Sequence, residues 1–174
     1  MLSGKNIKLR ALEPADVDLL YNWENDTSIW QISNTLTPYS RHVLEQYVLN
    51  SHLDIYTTKQ LRLIIEYSGS SKPIGCVDIF DFDPFHERAG IGILIANKSD
   101  QGKGLASDAL SVLIPYAFKK LNLHQLYCTI TSGNESSINL FIRHGFKQTG
   151  LKKQWLNQEG VWKDELFLQL LNEK

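Results

Sequence analysis

Apolar and polar positions along this 174-residue chain change period several times, and each change marks an element. From Asn6 to Leu12, Ile7, Leu9 and Ala11 alternate with Lys8, Arg10 and Leu12, the period of a strand. Pro14 suits the first turn of a helix carrying Val17, Leu20, Tyr21 and Glu24 on one side. Ser40, after the turn-prone Thr37-Pro38, is placed as the N-cap of a second helix with Val43, Leu44, Tyr47 and Val48 at helical spacing. Leu61–Tyr67 and Ile74–Phe80 read as paired strands across the turn formers Ser68 to Pro73, and an acidic loop, Asp81 to Glu87, leads into a strand from Arg88 to Ala96. Leu105, Ala109, Val112, Leu113, Tyr116 and Ala117 form a helical stripe that Pro115 should bend. Gln125–Thr131 is a strand, and Glu135–His144 is a helix stopped by Gly145 at C′. Lys147–Leu156 and Val161–Leu170 form a hairpin around Asn157-Gln158-Glu159-Gly160. The order β-α-α-β-β-β-α-β-α-β-β predicts an α/β sandwich of mixed strand direction.

With 43% hydrophobic and 21% charged residues, the chain is long enough for one well-buried core and short for two, so one domain over residues 1–174 is expected. A formal charge of -1 provides no global field for nucleic acid or an anionic membrane, and any charge recognition must be local. Cys76 and Cys128 lie in strand-like apolar runs and are expected to be buried thiols. The first ten residues lack an apolar signal core, and no stretch approaches the roughly 20 apolar residues of a membrane span, which predicts a cytoplasmic protein without a membrane partner. His42, His52, His124 and His144 show no metal-ligand spacing, so no metal is expected.

The chemistry concentrates in Gln101-Gly102-Lys103-Gly104-Leu105-Ala106, which follows the apolar run Ile91 to Ala96 and opens a helix. A helix start leaves backbone N–H groups without internal partners and its dipole favours negative charge, so glycines that admit a phosphate to the main chain make an anion site. A Gly-x-Gly before a helix also serves as an ordinary tight turn. The stretch is not a P-loop, because Gly104 stands where Ser or Thr would bind magnesium, and it lacks the third glycine of a dinucleotide fingerprint at Ser107. A nucleotide-containing cofactor is the expectation.

Two further features concern an acceptor. Asp78, Asp81, Asp83 and Glu87 cluster around Phe80, Phe82 and Phe85, while Glu24 and Asp26 lie beside Trp23 and Trp30. Carboxylates and aromatic faces both attract ammonium groups, so Glu24, Asp26, Trp30, Asp78, Asp81 and Asp83 are candidate ligands of a diamine or polyamine. The alternative is that the aromatics are core and the carboxylates are solvated turn residues.

The element order, with Gln-x-x-Gly-x-Ala at residues 101–106 and Asn134-x-x-Ser137 ahead of Gly145-Phe146, resembles the GNAT superfamily of N-acetyltransferases over nearly the whole chain. The runs Lys8 to Leu12 and Asn134 to Ile138 look like the branch holding ribosomal-protein N-terminal and spermidine N-acetyltransferases, and His86 to Gly90 is similar to the spermidine enzymes. The resemblance implies a mixed, mostly antiparallel twisted sheet flanked by helices, with the fourth and fifth strands splayed to admit pantetheine. It implies acetyl-CoA as cosubstrate, a primary amine as acceptor and a dimer or larger homo-oligomer. Leu94, Ile95 and Ala96 would pair with pantetheine, and one of their N–H groups would serve as an oxyanion-type donor. Gln101, Gly102, Lys103, Gly104, Leu105 and Ala106 would hold the pyrophosphate, with Asn134 and Ser137 reaching the cofactor from the other side. Phe141 replaces a frequent acid, tyrosine, and Gly90 replaces a frequent glutamate that relays to the base. Ser137, Glu87, Asp81 and His86 are the candidates left for those roles. A protein N-terminal or lysine acetyltransferase, and a non-catalytic acetyl-CoA sensor, are the alternative readings.

Overall fold

The computed structural model describes residues 2–173, apart from the side chain of Gln31; the expected domain also takes in Met1 and Lys174, which lie outside the described residues. The strands are β1 (Leu2–Ser3), β2 (Ile7–Arg10), β3 (Leu61–Tyr67), β4 (Pro73–Asp83), β5 (Arg88–Ile95), β6 (Gln125–Thr131), β7 (Lys147–Gln158) and β8 (Val161–Leu171). The helices are α1 (Val17–Glu24), α2 (Thr27–Ser33), α3 (Arg41–Leu49), α4 (Ile55–Thr58), α5 (Leu105–Lys119) and α6 (Glu135–Arg143). All eight strands form one sheet in the order β1-β2-β3-β4-β5-β6-β8-β7, antiparallel throughout except for β5 beside β6. The expected mixed, mostly antiparallel sheet flanked by helices is therefore present. The strands numbered fourth and fifth from the sequence are β5 and β6 here, because the short β1 precedes them.

The alternation along each strand sends apolar side chains to two cores. Val77, Ile79, Ile91 and Leu126 face Leu105, Ala109, Leu113 and Phe141 of α5 and α6. On the other face Ile64 and Cys76 pack with Leu20, Trp23, Leu44 and Val48 of α1 and α3. Both cysteines are buried and free, and burial pushes each thiol up to about 12, so they act as small apolar groups. The α5 helix continues past Pro115, which removes one N–H from its ladder, to Lys119. Among the described residues no helix is long and apolar enough to cross a membrane.

Several elements depart from the pattern reading. The α2 and α4 helices were not anticipated; they are short, and their N-caps Asp26 and Asp54 accept from the Ser28 N–H and from the Tyr56 and Thr57 N–H groups. The segment Asp81–Asp83 belongs to β4 rather than to the acidic loop, because a bulge between Phe80 and Asp83 carries the strand onward to pair with Arg88.

Where β2 meets the first turn, Arg10 ties the sheet to α1. Its guanidinium reaches both carboxylate oxygens of Asp16 at 2.6 and 2.8 Å and Glu66 at 2.6 Å, while the Glu13 N–H donates to Asp16 at 2.8 Å. Burial opposes the charge on Asp16, but Arg10 and the Glu13 N–H outweigh it and hold the carboxyl below its ordinary range. A folded value below the unfolded one, about 4, contributes stability that is complete above the unfolded value and lost as pH falls through the folded one. Asp16→Asn is accordingly expected to lower the denaturant midpoint at about pH 7 and to shrink the drop between about pH 7 and about pH 3. A drop as large as the parent's would contradict this role.

Candidate active site

The β5 and β6 strands begin side by side and then part. Their parallel pairing covers only Arg88↔Gln125, Ala89↔Leu126 and Gly90↔Tyr127, whereas β5 stays paired with β4 as far as Gly75↔Ile95. The sheet is thus forked beyond the Gly90–Tyr127 rung. The closed end is fastened by the carbonyl of Glu87, which accepts from the His124 and Gln125 N–H groups at 2.6 and 3.1 Å. Glu87 contributes to this region through its main chain.

Register decides which β5 groups face the fork. The Ala96 N–H donates to the Ile74 carbonyl at 2.9 Å, so by antiparallel alternation Ala96, Leu94 and Gly92 direct their backbone groups to β4, and Ile95 and Ile93 direct theirs into the opening. Of the expected run Leu94, Ile95 and Ala96, only Ile95 presents its main chain to the fork, and Ile93 takes the place given to its neighbours. The Ile95 carbonyl is held by the Gln101 side-chain amide at 3.0 Å, which leaves the Ile95 N–H and both groups of Ile93.

At the mouth of the fork the glycine loop turns into α5. Gly102 and Gly104 have φ of 73° and 78°, a left-handed backbone that a side chain would strain, and open space lies beside both. The first ladder bond of α5 runs from the Asp108 N–H to the Gly104 carbonyl at 3.0 Å. The N–H groups from Gly102 through Ser107, including those of Lys103, Leu105 and Ala106, find no acceptor among the described residues. This row of donors at a helix start fits a pyrophosphate.

Gln101 serves the loop's anchorage rather than its donor set. Asp100, only 4% exposed, braces the loop from behind by accepting from the Tyr67 hydroxyl at 3.0 Å, with Lys72 and Lys103 at 3.5 and 3.8 Å. Burial works against that carboxylate's charge, yet Tyr67, Asn97 and the two lysines hold it below the ordinary range.

Across the fork, Asn134 caps α6: its Oδ1 accepts from the Ser137 N–H at 3.3 Å and the Ser136 hydroxyl at 3.0 Å. This capping leaves Nδ2 for a ligand. Ser107 and His144 join the two helices, with Oγ and Nε2 at 2.8 Å, and burial lowers His144 from its usual value. Phe141 is 3% exposed and packs edge-to-face on Phe146 at 5.1 Å, so its ring belongs to the core.

Gly90 has a structural reason: a Cβ there would meet the Phe80 ring at 2.2 Å, so Phe80 covers the place where the family's frequent glutamate would start. Phe80 lies on the open face with Asp78, and Tyr127 stands edge-on to it at 6.1 Å. Tyr127 stacks on Phe167 at 5.3 Å, and its hydroxyl donates to Asp81 at 3.1 Å. Sequence reasoning passed over Tyr127, although the alternation of β6 sets Gln125, Tyr127 and Thr129 against Leu126, Cys128 and Ile130 and thereby puts an aromatic hydroxyl on the polar face.

The acidic candidates separate under this geometry. Asp78 and Glu24 converge on Arg62: its guanidinium bonds Asp78 in a bidentate pair at 2.7 and 3.1 Å and also bonds Glu24, with the Tyr47 ring 5.6 Å away. Two carboxylates around one guanidinium leave one negative charge in excess, but neither is free. Asp26 is spent on the α2 cap, and Trp30 donates to the Glu24 carbonyl at 2.8 Å. Asp83 accepts from the Phe85 and His86 N–H groups at 3.1 and 3.0 Å and lies 3.3 Å from Arg88. Asp81 forms no ion pair among the described residues. It borders a cleft of about 500 Å³ whose other walls include Arg88, Gln125, Tyr127, Phe167 and Gln169.

Comparison with known proteins agrees with this fork and donor loop. Residues 6–147 match the acetyltransferase (GNAT) domain model, and the chain belongs to that family. It is 30% identical over 150 residues to the spermidine N(1)-acetyltransferase of Escherichia coli K12, covering 86% of this chain and 77% of that protein. The spermidine N-acetyltransferase of Vibrio cholerae, solved with CoA and spermine, superposes with a TM-score of 0.86 at 25% identity over 95% of each chain. A dodecameric structure of that acetyltransferase matches with a TM-score of 0.79 at 26% identity, over 95% of this chain and 94% of that one. The protein is an acetyl-CoA-dependent acetyltransferase.

Substituting Gly104→Ala should strain the left-handed turn at a cost of about 1 kcal/mol and misdirect the donor row. Calorimetry is expected to show acetyl-CoA bound at least about tenfold more weakly, a loss of roughly 1.4 kcal/mol, with only a small fall in melting temperature. Unchanged affinity would remove this loop from the cosubstrate site.

Proposed function

We propose that the protein transfers the acetyl group of acetyl-CoA, by direct attack, to a primary amine of a small cationic acceptor such as spermidine or a diamine. The observation that carries this reading is Asp81, a carboxylate with no ion pair among the described residues, set against the aromatic faces of Tyr127, Phe80 and Phe167 at the closed end of the fork. Carboxylate and aromatic faces together suit an ammonium group, and the excess charge of the Glu24–Arg62–Asp78 cluster extends the attraction along the same face. Similarity to spermidine N-acetyltransferases in sequence and in fold supports the same acceptor class.

The chemistry asks for a neutral amine, a polarised carbonyl and two reactants held within attack distance. The cosubstrate supplies an activated acyl group and a tolerable leaving group, its thiolate. The chain supplies the rest. Gly102 to Ser107 provide the donor row for the pyrophosphate, and Ile93 and Ile95 line the fork with N–H groups, of which one polarises the acyl oxygen. The Asn134 amide and the Ser137 hydroxyl border the fork from α6, and Ser137 is the hydroxyl there able to protonate the departing sulfur, since Phe141 cannot. Of Asp81 and Glu87, the two carboxylates considered for the acceptor's proton, Asp81 is the one that borders the cleft, where it would hold the amine and take its proton. The same reading has a cytoplasmic homo-oligomer, a state to which the exposed Trp155, Val161 and Trp162 at the β7–β8 hairpin lend apolar surface.

One observation favours a second reading. Phe80 over Gly90 and the buried Phe141 remove the two side chains most often assigned to proton transfer in the family, which would suit a module that binds acetyl-CoA without turnover.

Thiol release from acetyl-CoA separates the readings when spermidine, spermine, short diamines, amino sugars and an N-terminal peptide are compared. Polyamine turnover is expected, with kcat/KM falling at least about tenfold in Asp81→Asn. The fall should be smaller in Asp83→Asn, whose parent carboxylate is already engaged by its loop and Arg88. Preference for the peptide would favour the protein-acetyltransferase alternative, and tight acetyl-CoA binding without release for any amine would favour the sensor.

A further inference from the structure

The hydroxyl of Tyr127, a residue of the rung at which the fork opens, is left without a role by the family resemblance. Gly90↔Tyr127 is the last rung before β5 and β6 separate, so Tyr127 stands where the sheet begins to open. Its ring is fixed from two sides, stacked on Phe167 at 5.3 Å and edge-on to Phe80 at 6.1 Å. Its hydroxyl is fixed as well, by donation to Asp81 Oδ2 at 3.1 Å. Asp81 reaches across from β4 because the bulge holds its backbone at φ 48°, a conformation that Asp and Asn tolerate better than most residues. Oδ1 of Asp81 has no partner among the described residues, and the Tyr127 oxygen keeps its lone pairs. Two acceptors therefore face the 500 Å³ cleft side by side, next to the covered Gly90.

We propose that Tyr127 and Asp81 act as one unit that positions the acceptor amine at the vertex of the fork, the ammonium group donating to the Tyr127 hydroxyl oxygen and to Asp81 Oδ1. This rests on the functional reading above and names the contact that orients the acceptor. The hydroxyl is available for the role because burial, and the neighbouring Asp81 charge, push it up to about 12, so at neutral pH it stays protonated and donates to Asp81. Arg88 borders the same cleft and its charge works against that upward shift, while its guanidinium lies 3.3 Å from Asp83 rather than on Asp81. Gly90 with Phe80 and Tyr127 with Asp81 then form one arrangement: the ring closes the route from position 90, and the tyrosine–aspartate pair presents polar atoms from the adjoining strand instead.

The pair is tested by titrating spermidine into the protein saturated with coenzyme A, and by steady-state kinetics, for Tyr127→Phe, Asp81→Asn and the double variant. Phenylalanine keeps the stack on Phe167 and asparagine keeps the left-handed backbone, so both folds should persist. Each single change is expected to weaken spermidine binding and raise its KM about tenfold. The KM for acetyl-CoA should hold, and the double variant should be no weaker than the weaker single because the two act together. Spermidine affinity within about twofold of the parent in Tyr127→Phe, effects that multiply in the double variant, or a parallel loss of acetyl-CoA affinity would each overturn the proposal. If the unaltered protein acetylates spermidine while Tyr127→Phe binds it normally, only the positioning pair fails. If the unaltered protein neither binds nor acetylates any amine, the acceptor reading fails with it.

Discussion

A strand cannot leave its neighbour in the middle of a sheet without exposing backbone donors and acceptors, and the parting of β5 from β6 after the Gly90–Tyr127 rung does this at the centre of the molecule. Everything around the parting manages its consequences. On one side β4 keeps β5 straight by pairing along its length, so the even-numbered residues from Gly90 to Ala96 are satisfied and only Ile93 and Ile95 face the opening. Gln101 then takes the Ile95 carbonyl and pins the glycine loop to the strand end. On the other side β6 is held by β8 from Gln125 to Thr131, so the fork can stay open without either strand losing both neighbours. An acyl carrier with amide groups along its arm suits the groups left over, and the unpaired N–H row from Gly102 to Ser107 suits the phosphates that follow.

The two faces of the sheet divide the work. Below, α5 and α6 pack a continuous apolar core that fixes the fork's geometry, and the Ser107–His144 bond ties the first turn of one helix to the end of the other. Above, α1 and α3 cover only part of the sheet: Glu24 of α1 and Tyr47 of α3 close over Arg62, and the part beyond them carries Phe80, Tyr127 and Asp81. Arg62 organises two carboxylates that would otherwise repel, so that region keeps a modest negative charge inside a fixed frame. Asp81 differs because it forms no ion pair among the described residues, although Arg88 borders the same cleft.

Much of this was legible in the chain because it is written in local pattern. Strand alternation, the stripe on α5 and the glycine loop depend on neighbouring residues and came through with boundaries shifted by no more than three residues. What stayed hidden depends on register and on contacts distant in sequence. That Leu94 and Ala96 spend their backbone groups on β4 follows from which residue opposes Ile74, a fact outside any local window. Arg62 neutralises Glu24 and Asp78 from positions 38 and 16 residues away, so an acidic cluster in sequence is largely a paired one in space. Tyr127 reads locally as one more strand aromatic, and its significance needs Asp81 brought across from β4. Gly90 was noticed as a departure, but its cause, the Phe80 ring, required the β4–β5 pairing.

The open side of β5 and the donor row before α5 are the proposed seat of the cosubstrate. Backbone amide hydrogen exchange, measured residue by residue with and without coenzyme A, addresses it directly. Coenzyme A is expected to slow exchange at Ile93, Ile95 and Gly102 to Ser107 and to leave Leu94 and Ala96, already bonded to β4, nearly unchanged. Protection confined to other parts of the sheet, or equal gains at Leu94 and Ala96, would contradict it.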